Sequence, residues 1–224
     1  MGIPITEDPL AKKIWLPLNY LNRHFKKKDH DFDDFELSVV RYKPDSLDAI
    51  TRMTHFTKRE IQLMYRGFKQ GCPTGIVTLA SFKDIYSQFF PQGEPSKYAE
   101  FVFNTFDRDH NGSISFEEFV VGLSILSRGS LDDKLEWVFD LYDIKKRGRI
   151  TRDELYLVVH SIYDLMGKFT DPPVHERTIR EHVNEIFGKM DRDNDGLVTR
   201  KEFKQACKND AEICASLSLF DTKL

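Results

Sequence analysis

With 224 residues, 40% of them hydrophobic, the chain can bury a real core in one large domain or two small lobes. A net charge of only −3 gives no global field that would suggest nucleic acid as a partner, and no apolar run approaches the ~20 residues of a membrane span. Three cysteines argue against a disulfide-built scaffold and for a reducing compartment. Cys207 and Cys214 stand seven residues apart in a helical pattern, roughly 10 Å between Cα atoms and too far for a disulfide. They and Cys72 read as small buried hydrophobes. With no signal peptide in view, the expectation is a soluble, intracellular protein.

In chain order, the first 45 residues stand apart from the rest. "MGIPIT" matches the pattern for N-myristoylation and makes Gly2 a candidate lipidation site, although no nearby cysteine could take a second acyl chain. Ile14, Leu18, Leu21 and Phe25 then share one helical face, with Lys12, Asn19, Arg23 and Lys26 elsewhere on the wheel and Pro17 interrupting. Three readings stay open: an amphipathic helix on an anionic membrane surface, the same face folding into the protein's own groove, and an unstructured tail.

Beyond this segment the chain repeats. Gly75, Gly112, Gly148 and Gly196 are each followed two residues later by a β-branched residue, namely Val77, Ile114, Ile150 and Val198. Segments with apolar residues at helical spacing flank each glycine. The pattern is that of the EF-hand, helix–loop–helix with a twelve-residue loop. It predicts an all-α fold with four EF-hands in two paired lobes. Short antiparallel bridges would join Val77 to Ile114 and Ile150 to Val198. The lobes are placed at residues 46–128 and 129–224, after an N-terminal segment of residues 1–45.

The loops differ in chemistry. Loop 1, Gln70 to Ser81, has no carboxylate and contains Pro73, so it reads as structural, with a redox role for Cys72 as the alternative. Loop 2, "DRDHNGSISFEE", offers Asp107, Asp109 and Asn111, the Ser113 carbonyl, Ser115 through a water, and Glu118. Loop 4, "DRDNDGLVTRKE", offers Asp191, Asp193 and Asp195, the Leu197 carbonyl, Thr199 and Glu202. Calcium needs six to eight oxygens, of which the last glutamate can give two, so both loops are predicted Ca2+ sites, with Mg2+ a candidate at rest. Loop 3, "DIKKRGRITRDE", keeps the frame of Asp143, Gly148, Ile150 and Glu154 but puts Lys145 and Arg147 where ligands belong. Cations there should abolish calcium affinity. Either Arg147 or Lys145 pairs with Asp143 or Glu154 as a built-in cation, or Lys145, Lys146, Arg147 and Arg149 form an exposed basic patch.

These loops, with "CPTG" in the first, resemble the neuronal calcium sensor family. "FTKREIQLMYRGFK", "YSQFFPQG", "LSILSRGSLDDKLEWVFDLYDI" and "SIYDLMGKF" are similar to its Kv channel-interacting branch. The likeness runs from about Ser46 to Leu224. It implies a cytosolic, calcium-sensing auxiliary subunit of A-type, Shal-class potassium channels, peripheral at the inner face of the plasma membrane when bound. A hydrophobic groove would capture the channel's N-terminal helix. The groove candidates are Phe68, Ile85, Tyr86, Phe89, Phe90, Tyr98, Phe101, Phe103, Trp137 and Phe139. "ICASLSLF" resembles a final helix that covers the groove until a partner displaces it. In that family the third and fourth loops bind calcium firmly, so the disabled third loop is a departure.

The alternative is a general calcium sensor acting on membranes, receptors or kinases. A DNA-binding role is disfavoured by the acidic balance, and buffering by two dead loops. No nucleophile elbow, phosphate-binding glycine motif or zinc pattern suggests an enzyme.

Overall fold

The computed structural model describes residues 47–166, 175–210 and residue 213. The Gly2 signal, the Ile14–Phe25 face, Cys214 and the C-terminal segment after Ile213 lie outside the described residues. A short α1 (Leu47–Met53) precedes the first helix–strand–helix unit, α2 (Lys58–Gly71), β1 (Ile76–Thr78) and α3 (Leu79–Phe89). The second is α4 (Ser96–Phe106), β2 (Ser113–Ser115) and α5 (Phe116–Arg128). The third is α6 (Leu131–Tyr142), β3 (Arg149–Thr151) and α7 (Arg152–Met166), and the last is α8 (Glu176–Met190), β4 (Leu197–Thr199) and α9 (Arg200–Asn209).

Local chemistry sets these boundaries. Thr57 and Glu60 form a capping box at the start of α2, and Ser115/Glu118, Ser130/Asp133 and Thr199/Glu202 repeat it at α5, α6 and α9. Each box satisfies two amides that the first helical turn would otherwise leave open, at about 1 kcal/mol per cap. Helices α4, α6 and α8 end on an aspartate whose own amide still closes the last turn, onto Phe103, Phe139 and Phe187 respectively. The strands pair antiparallel as β1–β2 and β3–β4, with Val77 opposite Ile114 and Ile150 opposite Val198. All four of these side chains are buried.

The core is continuous across the expected lobe boundary. Helix α4 packs on α3 and α5 and also on α6 and α7. Phe106 of α4 meets Trp137 of α6 edge to face at 6.0 Å between ring centroids. The turn between α3 and α4 lies tight on the end of α7, where the Glu94 amide donates to the Asp164 carbonyl at 2.8 Å. At Gly93 an added Cβ would sit 1.9 Å from the Leu165 carbonyl oxygen, so only glycine allows this approach.

The groove candidates lie in or against the core of the described structure. Phe68, Tyr86, Phe90, Tyr98, Phe103, Trp137 and Phe139 are buried in the core, while Ile85, Phe89 and Phe101 pack half-buried against it. Their rings find one another: Phe68 packs on Phe116 and Phe119, Phe82 on Tyr86 and Phe103, and Phe139 on Phe203. Large apolar rings spaced on facing helices bury against each other before they line an open surface. None of the described helices is long and apolar enough to cross a membrane.

Candidate metal centres

Loops 2 and 4 each gather carboxylates at the end of a helix. In loop 2, Asp107, Asp109 and Glu118 each bring a carboxylate oxygen within 4.8 Å of the other two. In loop 4 the converging oxygens come from Asp191, Asp193 and Asp195. The backbone holds them there. The fourth residue of each loop, His110 or Asn194, takes the left-handed conformation (φ 56° and 57°), and the sixth-position glycine follows in it (83° and 82°). A Cβ at Gly112 or Gly196 would meet nothing within 4 Å, so the conformation rather than crowding calls for glycine.

The twelfth-position glutamate does two jobs. Glu118 Oε2 accepts the Ser115 amide and hydroxyl to cap α5, while Oε1 turns into the loop and accepts the Arg108 and Asp109 amides. Glu202 repeats the arrangement with Thr199 and Arg192. Burial pushes the Glu202 carboxyl up, but hydrogen bonds from Thr199, Arg192 and Asp193 outweigh it and hold the group below the ordinary carboxylate range. These bonds favour the ionised form of the twelfth-position carboxylate, the form a metal ligand requires.

Asp191 supplies the sharpest sign of an ion site. It is buried, its Oδ2 accepts the Gly196 amide at 3.1 Å, and its Oδ1 is buried without a hydrogen-bond partner. An orphaned carboxylate oxygen among three aspartates is costly unless a cation meets it. Both oxygens of Asp107 in loop 2 accept amides, from Asn111 and Gly112. The donor set in both loops is hard oxygen at the spacing calcium prefers, so the residues fit that ion.

Loop 3 has the same frame and different chemistry. Lys146 (φ 52°) and Gly148 (φ 73°) repeat the left-handed pair, Asp143 accepts the Arg147 and Gly148 amides, and Glu154 caps α7 through Thr151. Of the loop's cations, Arg147 reaches Glu154 Oε2 at 3.3 Å, and Lys146 Nζ donates to the Asp140 carbonyl. Lys145 approaches Glu154 through its backbone amide. Of the pairings the sequence left open the structure shows Arg147 with Glu154, while Lys145, Lys146, Arg147 and Arg149 are all exposed, as the basic-patch alternative expected.

Loop 1 differs in its backbone as well. Helix α2 runs through Gly71, so the first two loop positions are helical. Burial pushes the Cys72 thiol up, with Lys69 opposing only in part, which works against the activation a redox cysteine needs. Cys207 is buried, as its helical spacing suggested.

Two families match parts of the chain. Residues 132–208 match the EF-hand domain pair, and residues 53–148 match the USP32 N-terminal domain. The first match spans loops 3 and 4 together and identifies them as an EF-hand pair.

Proposed function

We propose that this chain is a calcium sensor with four EF-hands, in which loops 2 and 4 bind the ion and loops 1 and 3 are structural partners. The observation that carries this reading is the convergence of three carboxylate oxygens within 4.8 Å in loops 2 and 4 and in no other group among the described residues. Each live loop faces a dead one across a two-strand bridge, so each lobe reads calcium through one site. A resting Mg2+ would use the same oxygens.

The target is an amphipathic helix, and the resemblance of the chain points to the N-terminal helix of a Shal-class potassium channel. The aromatic core between α3, α4 and α6 supports helix capture. Tyr86, Tyr98 and Tyr142 bury hydroxyls that meet no hydrogen-bond partner, an unmet demand of about 1–3 kcal/mol each. That makes this the least settled part of the core, and a partner helix bringing polar groups would gain there. Ile213, from the segment expected to cover the groove, is buried against the same core. The site of action would be the cytoplasmic face of the plasma membrane.

The test is calorimetric titration of a channel N-terminal peptide into the full chain, with calcium and with chelator. Micromolar or tighter binding that is insensitive to salt supports the channel reading. Absence of binding in both conditions turns the function toward a general sensor of membranes, receptors or kinases and leaves the calcium sites standing.

A further inference from the structure

Loop 3 holds a metal-site posture with its own cation, the 38%-exposed side chain of Arg147, laid on Glu154. Its backbone matches loops 2 and 4 residue for residue at the left-handed fourth and sixth positions. Asp143 bonds the sixth-position amide as Asp107 and Asp191 do. Glu154 bonds both the capping residue and the third-position amide, much as Glu118 and Glu202 bond theirs. Asp143 and Glu154 are 1% and 2% exposed, and buried carboxylates persist only when paired and hydrogen-bonded. Loops 2 and 4 gather three carboxylates each and need an ion to relieve their repulsion. Loop 3 has two carboxylates at ligand positions, and the Arg147 guanidinium answers one of them, Glu154, at 3.3 Å.

We propose that Arg147 is a tethered replacement for calcium, whose guanidinium on Glu154 keeps loop 3 in the closed, strand-paired state at every calcium concentration. This rests on the reading of loop 4 as a live site and says how that site is regulated. Ile150 lies opposite Val198, so β3 is a preformed template for β4, the strand that carries the loop 4 ligand Leu197 and the hydroxyl of Thr199. Calcium entering loop 4 then meets a finished partner instead of having to organise one. Uptake in this lobe follows a single-site curve, and its affinity depends on a residue that never touches the ion. Arg147 is a positioning residue.

The experiment is a calcium titration of the full chain and its Arg147→Ala and Arg147→Lys variants, with amide exchange measured on the calcium-free proteins. Arg147→Ala leaves Glu154 buried without its cation. The amides of Gly148 and Ile150 should exchange about tenfold faster, and calcium affinity at loop 4 should weaken several-fold. Arg147→Lys should recover most of both losses, because the charge returns without the planar fork. Unchanged exchange and affinity in Arg147→Ala overturn the proposal, since a cation that merely repels calcium would leave loop 4 untouched. A wild-type protein that takes no calcium at loop 4 instead overturns the functional reading beneath it.

Discussion

Replacing Arg128 by alanine tests how the first lobe is held shut. Arg128, at the end of α5, donates to Glu60 at 2.5 and 3.2 Å and to the His55 carbonyl at 2.8 Å, and lies over the Phe56 ring at 4.6 Å. With 42% of the arginine side chain exposed, the ion pair deserves no more than about 1 kcal/mol. The carbonyl bond adds about 1 kcal/mol and the ring contact about 0.5 kcal/mol, for a loss near 2 kcal/mol after solvent compensation. Urea unfolding of the calcium-free protein measures it, and the melting temperature should fall by about 4–8 °C. The pH dependence gives a second handle. Arg128, followed by the Thr57 cap, draws the Glu60 carboxyl down from 4.5 to about 2. A depressed acid stabilises fully above its unfolded value and loses that contribution as pH falls toward its folded value. The wild-type advantage over Arg128→Ala should therefore persist down to about pH 4.5 and shrink below it. A difference under about 0.5 kcal/mol, or one already gone at pH 6, would refute the clamp.

Two further perturbations address the rest of the frame. Gly93→Ala must push the α3–α4 turn off α7, because the new methyl meets the Leu165 carbonyl at 1.9 Å and the Glu94–Asp164 bond cannot follow. A loss of about 2–3 kcal/mol and faster proteolysis at that turn are expected, and unchanged stability would show that the lobes do not depend on this contact. On the second lobe, Arg200, Lys204 and Lys208 of α9 pair in a ladder with Glu136, Asp140 and Asp132 of α6. Glu136→Gln should cost about 1 kcal/mol at low salt and much less near 1 M, where charges are screened beyond about 3 Å. A salt-independent cost would assign the effect to packing, for instance to Arg200 over Phe139.

The two loops that gather carboxylates were legible because their chemistry is local. Asp107 to Glu118 and Asp191 to Glu202 carry acidic side chains, turn glycine and helix cap within one dozen residues, and the register of Val77 with Ile114 follows from the repeat. The same locality hid other features. Apolar spacing marks Ala99, Phe103 and Phe106 as one face of a helix but is silent on whether another helix covers that face, and here it does. The glycine at Gly93 reads as an ordinary turn residue until the carbonyls of α7 are placed against it. Partners such as Arg200 and Glu136 are 64 residues apart, and only the packing of α9 on α6 joins them. In loop 3 the sequence offered Arg147 or Lys145 as the paired cation, and side-chain reach in the folded loop puts Arg147 on Glu154.

The most direct measurement is a count of bound calcium by calorimetry on the metal-free full chain, repeated with Glu118→Gln and Glu202→Gln. The account predicts two ions, with each variant losing one. A third ion would mean that Lys145 and Arg147 yield their place, and a single ion lost with only one of the variants would mean that converging carboxylates alone do not make a site.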